Sequence, residues 1–238
     1  MKRIDKVLVL HVKKGYEERE VHMNNELAKF NIDFEYLLDY DIEDLSEDKL
    51  KEFYSENVDL DGPNLSVGMK HIEVLNKIVS HNYNLTLVFE DDVFLSDDFA
   101  EVLDRVLDEV EGKEGFVISL GNAGNFYVNY KEIKNGKYLY ENTRHRAADS
   151  YIIDNLAAKR RLEWFKDNKT VETAGHMYNT IDKAVGNTIY WSHPTVVEQG
   201  SQNGFLDSSI QKKKFMHRLR WLWRDFNKKY LHKIKVWK

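Results

Sequence analysis

Leu85-Thr86-Leu87-Val88-Phe89-Glu90-Asp91-Asp92 is an apolar run that stops abruptly in three carboxylates, and the reading of the whole chain turns on it. The run is short and rich in branched and aromatic side chains, the pattern of a buried strand. Upstream, Ser66 stands in N-cap position for a helix over 66–80, with Met69, Ile72, Leu75, Ile78 and Val79 on one face. Earlier still, residues 7–12 read as a strand ending at Lys13-Lys14-Gly15. Residues 17–30 read as a helix carrying Arg19, and 34–38 as a second strand running into Asp39-Tyr40-Asp41. Downstream, Phe99, Val102, Leu103, Val106, Leu107 and Val110 form a clean helical stripe, followed by a strand over 116–120 that ends at Gly121-Asn122. Residues 127–140 hold Asn135-Gly136 between tyrosine-rich arms, which predicts a hairpin. A strand at 151–153, a helix over 155–165 and a strand over 188–191 complete the pass.

Strands alternating with helices predict an α/β fold with a mixed, mostly parallel sheet flanked by helices, the hairpin supplying the antiparallel part. In such sheets ligands bind beyond the carboxyl ends of the strands, which directs attention to the residues after Leu10, Leu38, Phe89 and Leu120. None of these ends carries a G-x-G-x-x-G or G-x-x-x-x-G-K-[ST] segment, so nicotinamide and P-loop chemistry lack support.

The chain has 238 residues, 42% of them hydrophobic and 32% charged, enough apolar material for one sizeable core. It contains no cysteine, which excludes a disulfide framework, a thiolate zinc site and a cysteine nucleophile. The amino-terminal apolar run is too short and too charged for a signal peptide, and no window approaches the roughly 20 apolar residues that span a bilayer. The net charge of −5 hides a division: residues 211–238 hold 11 Lys or Arg against one acid, Asp225. The expected organisation is therefore an acidic domain over 1–210 and a basic amphipathic helix over 211–238.

Glu90, Asp91 and Asp92 repel one another unless something positive sits between them. A hard divalent cation carrying a diphosphate meets that need, because Mg²⁺ and Mn²⁺ prefer oxygen and take one or two carboxylates. Side chains alternate along extended backbone, so Glu90 and Asp92 share a side and Asp92 is the first candidate for a direct ligand. The competing reading is a solvated acidic turn.

The ordered segments resemble glycosyltransferase family 25, the lipooligosaccharide and lipopolysaccharide biosynthesis family. The resemblance rests on Leu8-Val9-Leu10 with Arg19 downstream, the helix around His71, Leu87 through Val93 with its Glu-Asp-Asp, Ile118-Ser119-Leu120-Gly121, Tyr151-Ile152-Ile153 with Ala157-Ala158, and Glu198-Gln199-Gly200-Ser201. It implies a GT-A-like Rossmann-type fold, a UDP-hexose donor such as UDP-galactose, Mn²⁺ or Mg²⁺ held by the acidic triplet, and inverting transfer. His71 matches the family's helix histidine. His11 stands where the family's first strand carries asparagine, and His176 occupies the acidic position of the late segment.

Inverting transfer needs a base for the acceptor hydroxyl and a cation for the departing diphosphate. His176, Glu172 and Asp182 are the candidates for the base, with a structural histidine in a turn as the alternative for His176. His193 is a candidate third metal ligand beside Asp92 and Glu90, or else a plain loop residue before Pro194. His11, Lys13, Asp39, Asp41, His71, Glu90, Asp91, Gly121, Asn122, Gln199 and Ser201 are candidates for holding the donor. In 211–238, Phe215, Leu219, Leu222, Trp223, Phe226 and Tyr230 share an arc with cations outside it, the form of a helix lying on anionic membrane. No nucleic-acid motif is present. The expectation is a cytoplasmic hexosyltransferase, peripheral on the inner face of the cytoplasmic membrane, acting on a lipid-linked or surface-glycan saccharide. The alternative is a nonenzymatic saccharide- or membrane-binding module.

Overall fold

The computed structural model describes residues 3–122 and 126–203, together with Trp223. The chain runs β1 (Lys6–Leu10), α1 (Glu17–Ala28), β2 (Glu35–Leu37), α2 (Glu47–Phe53), α3 (Gly62–His81), β3 (Leu85–Glu90), β4 (Val93–Leu95), α4 (Phe99–Glu109) and β5 (Phe116–Ser119). It continues through β6 (Leu139–Asn142), β7 (Ser150–Asp154), α5 (Asn155–Asp167), α6 (Ala174–Val185), β8 (Thr188–Ser192), β9 (Val197–Gln199) and the short α7 (Gly200–Asn203).

Seven strands form one sheet in the order β2-β1-β3-β7-β5-β8-β6, and β4 pairs with β9 in a small second sheet. Strands β2, β1, β3, β5 and β8 point one way, while β7 and β6 point the other. This is the mixed, mostly parallel sheet flanked by helices that the alternation of elements predicts. Both faces are covered, which is why strands such as Val7–Leu10 are apolar at consecutive positions rather than alternating. Leu87 and Phe89 point to a core shared with α1 and α4. Val88 points to the opposite core, with α3, α5 and α6. The stripe from Phe99 to Val110 is wholly buried.

Three expectations need correction. The helix through His71 starts at Gly62, because the Asp61 side chain accepts from the Asn64 N–H and Pro63 sits in the first turn, where its missing N–H costs nothing. Asn135-Gly136 does make a turn, with Gly136 at φ 74°, but only its second arm is a strand. That arm, β6, pairs with β8, so the mixed character of the sheet comes from β7 and β6 and not from a hairpin. The segment around His176 is α6, a helix, capped at Gly186 in the left-handed conformation. The basic region 211–238 lies outside the described residues apart from Trp223. Among the described residues no helix is long and apolar enough to cross a membrane.

Candidate active site

The carboxyl ends of β1 and β3 lie side by side, Leu10 opposite Glu90, and the chain leaves β3 directly into the acidic triplet. Asp91 is spent on two partners: its Oδ1 accepts from Arg19 at 2.5 Å and its Oδ2 faces His11 Nδ1 at 2.7 Å. A carboxylate held by both is a counter-ion for them, not an open ligand. Asp92 is different. Its Oδ2 accepts from the Ser201 N–H at 3.1 Å, and its backbone carbonyl from the Gly200 N–H at 2.6 Å, while Oδ1 is buried with no partner. Burial raises the Asp92 pKa despite the Ser201 bond. Glu90 Oε2 accepts from Gln199 Nε2 at 2.8 Å, and loss of solvation, then Asp92 and Asp91, push its pKa up to about 8.

A fourth carboxylate joins them. Asp149 is 2% exposed, its Oδ2 accepts from Ser150 Oγ at 3.0 Å, and its backbone carbonyl takes the Glu90 N–H at 2.8 Å. Burial and then Glu90 push its pKa up to about 7. Gly121 makes room for it, since a Cβ there would stand 2.2 Å from Asp149 Oδ2. Arg146 fixes this end of the sheet by donating to the carbonyls of Ser119, Gly121 and Ser192.

Glu90, Asp91, Asp92, Gln199 and Ser201 form one wall of a cleft of about 620 Å³, the size of a small-molecule site. The rest of the lining brings Lys13, Lys14 and Lys70 together with Asp41, Glu43 and Asp44, the apolar Ile42, Pro63 and Val67, and Arg19 against Asp91. Lys70 is 2% exposed and donates to the Asp39 carbonyl and to Asp41 Oδ1, each at 2.7 Å. Asp41 Oδ2 accepts from the Lys13 N–H, and Lys13 Nζ reaches Asp44. The cleft is thus acidic at the β3 end, carries lysines matched by carboxylates at the β1–β2 end, and is apolar at Ile42, Pro63 and Val67.

This arrangement coincides with a family match. Residues 5–177 match glycosyltransferase family 25 (LPS biosynthesis protein). The chain belongs to glycosyltransferase family 25. Over 167 residues it is 27% identical to a Haemophilus influenzae protein named "Putative glycosyltransferase", a match covering 66% of this chain and 57% of that protein. The chain therefore spans a little over half the length of this relative. Among solved structures, the catalytic domain of Drosophila beta1,4galactosyltransferase 7 in complex with xylobiose is 8% identical, with a TM-score of 0.43, covering 98% of this chain and 81% of that one. A197 from STIV is 13% identical with a TM-score of 0.42, covering 78% and 81%.

Of the predicted donor-site residues, the fold gathers His11, Lys13, Asp41, Glu90, Asp91, Gln199 and Ser201 around the cleft, with Asp92 among them. His71 lies beneath Glu90, 3.7 Å from it. Asp39 contributes only its carbonyl, its side chain being exposed. Gly121 and Asn122 sit behind Asp149, where Asn122 Nδ2 donates to the Tyr127 hydroxyl at 3.1 Å. His193 does not join Asp92 and Glu90. Its ring packs edge-on to Tyr140, and its N–H donates to the Tyr138 carbonyl, so β6 claims it.

The three base candidates are not in the cleft lining either. His176 is exposed on α6, and Glu172 lies in the loop before that helix. Asp182 is wholly buried and fully engaged, its Oδ1 accepting from Arg161 Nε at 2.7 Å and its Oδ2 from Arg161 Nη2 at 2.6 Å, with His145 and Asn187 completing the network. A carboxylate locked to a buried guanidinium is structural. Asp149 escaped the sequence reading because attention went to residues after strands. Strand β7 runs antiparallel, so its beginning, not its end, meets the carboxyl end of β3, with Ser150 opposite Phe89.

Proposed function

We propose that this chain transfers a hexose, galactose being the first candidate, from a UDP-sugar to a saccharide acceptor, with inversion and with Mn²⁺ or Mg²⁺. The observation that supports this reading best is Asp92 Oδ1, a buried carboxylate oxygen without a partner at the acidic end of a cleft that also brings in Lys13, Lys14 and Arg19. Among the described residues no three His, Asp or Glu side chains form a complete cage for a metal ion. Mg²⁺ and Mn²⁺ do not require one: one or two carboxylates plus phosphate and water suffice, and the all-oxygen donors here suit them. Asp92 would hold the cation, with Glu90 beside it. When bound, the cation supplies charge to the departing diphosphate.

The rest falls to the chain. Asp91 keeps Arg19 and His11 in place at the donor end. Lys13 and Lys14 lie where negative charge enters the cleft, and the Ile42, Pro63 and Val67 flank offers apolar contact to a flat base. Asp149 is assigned as the proton acceptor for the incoming hydroxyl: it lies directly behind Glu90, outside the cleft lining itself, and its pKa is pushed up to about 7. The acceptor is assigned as a lipid-linked or surface-glycan saccharide, and residues 211–238 as the part that brings the protein to an anionic membrane face inside the cell.

Incubating the full chain with UDP-hexoses, Mn²⁺ and a panel of lipid-linked and free saccharides tests this reading. Release of UDP coupled to extension of an acceptor supports it, with Asp149→Asn lowering turnover by roughly 10²- to 10⁴-fold while UDP still binds. Binding of saccharides without turnover of any UDP-sugar would instead favour a nonenzymatic module.

A further inference from the structure

Beneath the acidic cluster lies a polar group that the transfer reaction leaves unused. His71, on α3, is wholly buried, its ring between those of Tyr151 and Tyr178 with centroids 5.7 Å from each. Its Nδ1 stands 3.0 Å from the Tyr151 hydroxyl. Its Nε2 has no hydrogen-bond partner and faces Glu90 Oε1 at 3.7 Å. The Tyr178 hydroxyl donates to the His71 backbone carbonyl at 2.8 Å, which commits that proton.

A neutral imidazole offers one N–H and one lone pair, so two arrangements compete. With the proton on Nδ1, a bare lone pair on Nε2 would face Glu90 Oε1, acceptor against acceptor whenever Glu90 is ionised, as it must be to serve a cation. With the proton on Nε2, the Tyr151 O–H, which also has the Tyr178 hydroxyl in reach, donates to Nδ1 and the N–H faces Glu90. An ionised Glu90 selects the second.

We propose that His71 is a positioning residue for Glu90, held by Tyr151 as the Nε2–H tautomer and aimed at Oε1 while Gln199 holds Oε2. The inference rests on the reading that Glu90 belongs to a cation-dependent donor site. The separation of 3.7 Å is longer than a hydrogen bond, and a movement of about 1 Å at the end of the Glu90 side chain closes it. An uncharged donor suits the task, because it orients the carboxylate without cancelling the charge that a cation and diphosphate would meet. Outer hydrogen bonds of this kind fix the ligand geometry of many metal sites.

Two measurements on the full chain test it. Nitrogen NMR of ¹⁵N-histidine protein above the Glu90 pKa of about 8, with His71→Gln for assignment, is expected to show His71 protonated on Nε2 alone. Calorimetry with Mn²⁺ alone is expected to show His71→Phe binding roughly 10- to 100-fold more weakly than wild type, with His71→Gln, which keeps an N–H, within about 3-fold. An Nδ1–H spectrum, or His71→Phe binding Mn²⁺ like wild type, overturns the role of His71. A wild-type protein that binds no Mn²⁺ overturns the cation reading of the cleft itself, whichever tautomer is seen. If His71→Phe fails to fold, the wild-type spectrum and Tyr151→Phe, expected to lose the single tautomer, still decide.

Discussion

Replacing Asp182 with Asn separates a structural role from a catalytic one. In the wild type the carboxylate takes two N–H bonds from Arg161, whose guanidinium is wholly buried and lies 3.7 Å from the Tyr178 ring, and it also meets His145 and Asn187. The amide keeps the volume and removes the charge, leaving Arg161 uncompensated in the core between α5 and α6. Breaking a buried pair from one side costs about 3–5 kcal/mol, which in a chain of this size lowers the melting temperature by roughly 6–20 °C. The acidity of the pair gives a second signature. Burial alone would raise the Asp182 pKa, but Arg161 and His145 hold it well below the carboxylate range. A depressed carboxylate contributes stability that is complete above its unfolded value of about 3.9 and is lost as the pH falls below it. Thermal melts of wild type and Asp182→Asn should therefore differ most at neutral pH and begin to narrow only below about pH 4. The double variant Asp182→Leu/Arg161→Met, which removes both charges, should recover most of the loss. Melting within about 1 kcal/mol of wild type, combined with lost transfer, would refute this reasoning and return Asp182 to the active site.

Other perturbations follow from close contacts and unpaired groups. Gly121→Ala would place a Cβ 2.2 Å from Asp149 Oδ2 and 2.8 Å from Ser150 Oγ. It should displace Asp149, cost about 1–3 kcal/mol in chemical denaturation, and reduce turnover more than UDP affinity. Tyr54→Phe removes a buried hydroxyl that has no partner and stands where a Cβ on Gly68 would be, 1.9 Å away. Its urea midpoint should stay within about 1 kcal/mol of wild type or rise, and Gly68→Ala should be tolerated better in that background than alone.

Much of the fold was legible because its first half obeys simple periodicity. The runs at 7–10 and 87–89 are buried on both faces, so they are continuously apolar, and the Phe99 to Val110 stripe has one face to bury and shows it. What the sequence concealed was direction. Nothing in Ser150-Tyr151-Ile152-Ile153-Asp154 says that this strand runs against its neighbours, yet that reversal brings Asp149 to Glu90. Asn135-Gly136 announced a turn, but pairing of the following arm with β8 depended on distant residues.

The site divided along the same line. Asp92 was marked by the strand end and by alternation, whereas its open oxygen, and the diversion of Asp91 to Arg19 and His11, depend on contacts 72 and 80 residues apart in the chain. His193 and Asp182 carried the right chemistry for a site, and tertiary structure gave them other partners, Tyr140 and Arg161. A histidine beside a strand end and an acid in a late segment do not show in sequence which neighbours will claim them.

The most direct test of the account is calorimetric titration of the full chain with UDP, with and without Mn²⁺, for wild type and Asp92→Ala. The account predicts that UDP binds wild type in the presence of Mn²⁺ and that binding is lost when either Mn²⁺ or the Asp92 carboxylate is removed. UDP binding that is indifferent to both, or absent from a folded wild-type protein under every condition, would contradict it.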